Sequence, residues 1–90
     1  MNRTIITVVG KDTPGIIARL SVYLYEHSIN IQDISQTIVK GIFNMLIITN
    51  TDAMTVSFDT LIQDLKAIAG ELGVDIRCQK EDIFNQMHRI

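Results

Sequence analysis

A chain of 90 residues holds one domain and leaves little room for a second, and at that size only about 60–65% of the unfolded surface can be hidden in its own core. Its 8 Lys and Arg against 10 Asp and Glu give a net charge of −2 with the signs mixed along the chain; the absence of a basic run excludes the footprint of a nucleic-acid binder and of a membrane-surface helix. Hydrophobic residues make up 47%, more than a small core easily hides, which predicts that a second copy covers part of the surface.

Arg3 to Gly10 reads as a strand. Ile5/Thr7/Val9 and Thr4/Ile6/Val8 both carry apolar residues, so the strand is expected to be central and covered on both sides. The chain enters it without the apolar h-region or small-residue cleavage site of a secretory signal, and the expected location is cytoplasmic. Pro14 to Ser28 reads as a helix, with Thr13 as cap and Pro14 at the first helical position, where its missing N–H is not needed. Ile16, Leu20, Tyr23, Leu24 and His27 share one side. Ala18, Val22 and Tyr25 form a second, weaker stripe that packing on one sheet does not require, a candidate subunit contact. His27, near the helix end, is placed to meet the helix dipole.

Asn30 to Val39 reads as an edge strand, with Ile34 and Ile38 on one face and Asp33, Ser35 and Thr37 on the other. Ile29 and Ile31 fall in the opposite phase from Ile34, which predicts a bulge near Gln32. Lys40-Gly41 is a tight turn, and Ile42 to Asn50 is the return strand of a hairpin, apolar on both faces. At seven residues, the apolar stretch from Ile42 to Ile48 is far short of the ~20 that span a bilayer. After a loop over Thr51 to Val56, Ser57 caps a second helix whose stripe is Phe58, Leu61, Ile62, Leu65, Ile68, Ala69 and Leu72; Gly73 stops it.

Val74 to Gln79 is the last strand, with Val74, Ile76 and Cys78 on one face. Cys78 is the single cysteine, which excludes an internal disulfide, suits a reducing compartment and reads as a small buried hydrophobe. The tail, Glu81 to Ile90, carries Ile83, Met87 and Ile90 at i, i+4, i+7 with Phe84 beside them. A helix that short is not stable alone in water, so the tail is expected to dock on its own domain or on a partner.

The order βαββαβ gives an α+β, ferredoxin-like sandwich. Right-handed crossovers favour a four-stranded antiparallel sheet of order 4-1-3-2 with both helices on one face. The domain is expected over residues 1–80, followed by a short C-terminal helix over 81–90. The sheet face away from the helices then needs a partner sheet or the tail to cover it. This fold hosts unrelated activities, and the residues narrow them. A ferredoxin-like metal carrier needs a cysteine pair in the first loop. An RNA-recognition sheet needs basic and aromatic residues on its central strands, which Phe43 alone does not supply. An acylphosphatase-like enzyme needs an arginine in the loop after the first strand, which holds Lys11 and Asp12. His27, His88 and Cys78 are too widely spaced for a metal site, and no acid, base and nucleophile converge. The expectation is no catalytic residue, no metal and no cofactor.

The first loop, Gly10-Lys11-Asp12-Thr13-Pro14-Gly15-Ile16-Ile17, followed by Leu20 and then Asn30-Ile31, resembles the signature of ACT domains. The element order matches from Thr4 to Gln79, and the tail is similar to the ending of small stand-alone members. The resemblance implies a small-effector site, for an amino acid or similar metabolite, at a subunit interface. Carried onto this chain, the site residues are Asp12, Gly15 and Asn30, with Ile16 close by.

Physical chemistry supports that arrangement. A helix start offers unpaired N–H groups and the positive end of a dipole, and Gly15 lets a carboxylate approach the backbone. Asp12 can receive an ammonium, or it can fold back and satisfy the helix start itself; Asn30 can both donate and accept, or can be a turn residue only. The resulting expectation is a non-catalytic, homodimeric sensor that signals to a separate regulatory partner. Its alternative is a protein-interaction module with a vestigial pocket. The pattern leaves open whether the dimer pairs edge to edge or face to face.

Overall fold

The computed structural model describes residues 2–82. The expected tail helix lies, but for its first two residues, outside them. The elements are β1 (Arg3–Lys11), α1 (Ile16–Glu26), β2 (Asn30–Val39), β3 (Ile42–Asn50), α2 (Phe58–Leu72) and β4 (Val74–Lys80). The sheet runs β2-β3-β1-β4, all antiparallel, which is the expected 4-1-3-2 order read from the other edge.

Two-residue alternation along β1 sorts its side chains between the sheet faces. Ile6 stands between Ile47 and Cys78, and Val8 between Met45 and Ile76. These residues face α1 and α2 and join one core with Leu20, Leu24, Leu61 and Leu65. Each fully buried Leu or Ile there is worth roughly 1.5–3 kcal/mol of transfer free energy. Gly10 is required where β1 pairs with Val74 of β4: a Cβ there would lie 2.8 Å from Val74 Cγ1.

The bulge is where the β2 pattern placed it. The β2–β3 register slips between Ile31 and Asp33, so Gln32 is the extra residue and Ile31 shares a face with Ile34. The β2–β3 turn carries positive φ at both Lys40 (52°) and Gly41 (79°), the conformation of a type I′ hairpin. Except for half-buried Ile31, every residue of β2 is exposed, as an edge strand allows.

Two expectations are corrected. The first helix begins at Ile16, after Gly15, and Thr13 does not cap it: its hydroxyl donates to Lys11 O at 3.0 Å. Pro14 belongs to the turn before the helix. In the second helix Ile62, assigned to the buried stripe, is 40% exposed, because Leu61, Leu65, Ile68 and Ala69 already fill the contact with the sheet. Ser57 does cap α2, and Gly73 ends it at φ 71°. The two helices are tied by the Tyr23 hydroxyl, which donates to Asp64 Oδ2 at 2.7 Å. Among the described residues no buried side-chain polar atom lacks a partner.

Candidate functional site

The loop between β1 and α1 is held at one end of the sheet. Asp12 N donates to Gly41 O at 3.0 Å, which fastens the loop to the β2–β3 turn. Thr13 turns inward onto Lys11 O, and the chain then reverses through Gly15 at φ 89°. A side chain at Gly15 would meet nothing within 4 Å, so the approach to the backbone is open.

The consequence is a bare helix start. Gly15 O accepts from Arg19 N and so opens the α1 ladder, but no side chain caps α1 and no acidic residue lies in its first turn. The first-turn N–H groups of Ile16, Ile17 and Ala18 therefore have no intrahelical acceptor. Asp12 is exposed, and its carboxylate makes no hydrogen bond or ion pair with any described residue. It does not fold back to quench the helix start.

Of the four expected site residues, three come together here. Asp12 and Gly15 present a carboxylate and an open backbone. Ile16 contributes only its N–H, since its side chain is 2% exposed and belongs to the core. Asn30 is elsewhere. It pairs with Asn50, which pairs with Arg3, whereas Lys11 pairs with Ile42 at the opposite end. Eight strand steps separate the two ends, about 27 Å. Within one chain Asn30 cannot reach the helix start.

Residues 2–79 match the model of the ACT domain family. The chain belongs to that family. A UPF0237 protein from Bifidobacterium longum is 50% identical over 90 residues, covering all of both chains. An ACT domain protein from Streptococcus pneumoniae superposes with a TM-score of 0.80 at 38% identity, over 92% of this chain and 93% of that one. The regulatory subunit of aspartate kinase from Thermus thermophilus shares the fold at a TM-score of 0.66 and 21% identity, over 87% of this chain and 50% of that one.

Two concavities in this ACT domain fall away from the predicted residues. One, about 280 Å³, lies at the Asn30 end of the sheet between Arg3, Thr4, Met54, Phe58, Lys80 and Glu81. Lys80 Nζ sits 5.1 Å above the Phe58 ring, and Arg3 pairs with Glu81 at 3.4 Å. The other, about 230 Å³, is a shallow depression on the open sheet face around Thr7, Val9, Thr37 and Leu46. Neither was legible in the sequence, because their walls come from separate segments that only the sheet register brings together.

Among the described residues, His27, Tyr23 and Cys78 have structural surroundings. His27 ends α1, with Nδ1 donating to Tyr23 O at 2.8 Å and its ring stacked on Tyr23 at 4.2 Å, as its place near the helix C-terminus led one to expect. Burial pushes the Cys78 thiol up to about 12, which keeps it protonated and unreactive near neutrality. Burial first, and then the hydrogen bond to Asp64, raise the Tyr23 phenol well above its ordinary value. Among the described residues no group of three His, Cys, Asp or Glu could hold a metal, and no helix is long and apolar enough to cross a membrane.

Proposed function

We propose that this chain is a non-catalytic regulatory domain that binds a small zwitterion, an amino acid in the first instance, between two copies of itself. The observation that carries the reading is the uncapped start of α1 beside the unpaired Asp12 carboxylate. A ligand carboxylate fits the free N–H groups and the positive dipole end. A ligand ammonium fits Asp12. Asn30, about 27 Å away in its own chain, joins only from a second copy, so the complete site is dimeric.

Two exposed surfaces support such a pairing. The ten-residue edge strand β2 carries no proline and no lysine to blunt it. Beside it α1 presents Val22 and Tyr25, 52% and 84% exposed, the second stripe read in the sequence. A regulatory role is in keeping with the aspartate kinase regulatory subunit that shares the fold. A ligand changes output only by binding one subunit arrangement better than another, and in this reading that output passes to a separate protein partner. Sparing use of cysteine supports a reducing, cytoplasmic setting.

Titration calorimetry of the purified chain against the twenty amino acids tests the proposal, with light scattering to fix the oligomer. Saturable heat with one or a few amino acids is expected, one site per α1 start and so two per symmetric dimer. A folded dimer that gives no heat with any of them overturns the sensor and favours the interaction module. That second reading draws on one observation: neither concavity contains Asp12, Gly15, Ile16 or Asn30.

A further inference from the structure

The two concavities differ in what lines them. The shallow one on the open sheet face has no charged side chain among its described walls. The one at the Asn30 end, about 280 Å³, gathers Arg3, Lys80, Glu81 and Asp82 around Met54 and Phe58. Small-molecule sites occupy roughly 300–1,000 Å³ and combine apolar surface with a few placed polar groups. This cavity stands at the lower end of that range and has both ingredients.

Strand pairing and loop hydrogen bonds fix its walls. Thr4 lies opposite Lys80, which brings Arg3 and Lys80 to one end of the sheet. The start of β1 is clamped to the loop after β3: Thr51 N donates to Asn2 O at 2.8 Å, and Asn2 N donates to Asp52 Oδ1 at 2.7 Å. Met54 N closes a turn on Thr51 O at 3.2 Å, and the Ser57 cap sets the start of α2 at Phe58. Met54 and Phe58 are half-buried and complete the apolar part of the lining.

Charge then selects the ligand. Arg3 and Glu81 meet at 3.4 Å and largely neutralise one another. Lys80 Nζ instead sits 5.1 Å from the centre of the Phe58 ring and makes no ion pair with any described residue. An aromatic face attracts a cation without accepting all its protons, so the ammonium keeps donors for a further acceptor. We propose that this cavity binds an organic monoanion, a carboxylate on a compact apolar or aromatic body. The carboxylate accepts from Lys80, and the body packs against Met54 and Phe58. Glu81 and Asp82, both on the lining, disfavour a second negative charge on the ligand. The site lies within one chain, at the end of the sheet away from the α1 start, and the proposal survives if no amino acid binds there.

The test titrates the full chain with phenylacetate and follows backbone amide shifts. Saturable shifts are expected at Met54, Phe58 and Lys80, with Gly15 and Ile16 unmoved. Phenylacetamide, the same body without the charge, should bind at least ~10-fold more weakly, because a charge-assisted hydrogen bond is lost. Lys80→Met should weaken phenylacetate by a similar factor, Lys80→Arg should keep most of the affinity, and Asp12→Asn should leave it unchanged. No saturable shift at the three amides, shifts confined to Gly15 and Ile16, or equal affinity for phenylacetamide would each overturn the proposal. So would unchanged affinity in Lys80→Met. The comparison of phenylacetate with phenylacetamide uses the unaltered chain and holds whatever a variant does to folding.

Discussion

The two helices begin in opposite ways. α2 looks after itself: Ser57 Oγ accepts from Thr60 N at 3.1 Å and donates to Thr60 Oγ1 at 2.9 Å, and Asp59 sits in the first turn against the dipole. α1 begins after a left-handed glycine, with no cap and no acid, although a threonine and an aspartate stand within three residues. Both helices are nevertheless anchored by four buried residues on the sheet. Packing therefore holds both helices, and the capping groups are free to differ. One start is closed by its own side chains, and the other is left uncapped.

The largest effects test the shared part of that comparison. Leu20→Ala and Leu61→Ala remove side chains that are 1% and 0% exposed. Each should cost about 2–5 kcal/mol in urea unfolding, since a cavity is left behind. A loss under about 1 kcal/mol at either helix would mean that its stripe is not the anchor.

Next comes the alkaline limb of stability, which reads the buried joint between helices and sheet. The folded Cys78 thiol is held at about 12 against an ordinary 9. Below pH 9 both folded and unfolded thiols are protonated, and the full stability is present. Between 9 and 12 the unfolded chain releases the proton first, so stability falls by up to about 1.4 kcal/mol per pH unit and then levels off. Tyr23 adds to the fall from pH 10 upward, because its folded form also resists ionisation. Cys78→Ala should lose the part of the slope that starts at pH 9 and keep the Tyr23 part; unfolding curves between pH 8 and 11 check this.

The caps themselves should differ by about a kilocalorie. Ser57→Ala is expected to cost about 0.5–2 kcal/mol, whereas Thr13→Ala should stay within about 0.5 kcal/mol, as an exposed polar change away from a cap does. Equal costs would erase the distinction between the two helix starts. Smallest in stability is Asp12→Asn, also within about 0.5 kcal/mol, yet it should weaken amino-acid binding at least ~10-fold, about 1.4 kcal/mol, by removing the charge offered to the ammonium. Unchanged affinity in calorimetry would detach Asp12 from the site.

Local patterns placed most elements because their physical causes are local. The two-sided alternation of Thr4 to Val9, the phase break at Gln32, the Ser57 cap and the Gly73 stop were all legible, each depending on residues a few positions apart. The start of the first helix was misread for the same reason. Thr13-Pro14 carries a helix-start signal, but the hydroxyl is taken by Lys11 O and the left-handed turn at Gly15 delays the helix. Ile62 was misassigned because periodicity marks a stripe and does not give its width.

By itself the sequence determined the element order, the sheet order and the family signature, since each follows from side-chain spacing and chain handedness. Only the tertiary structure decided that Asp12 and Asn30 lie at opposite ends of the sheet, that the start of α1 is uncapped, that the Ile16 side chain belongs to the core, and that Ile5 is buried while Val9 on the same strand is exposed. Those facts depend on strand register and on which surfaces meet. Register is set by pairing residues far apart in the chain, and no local spacing records it.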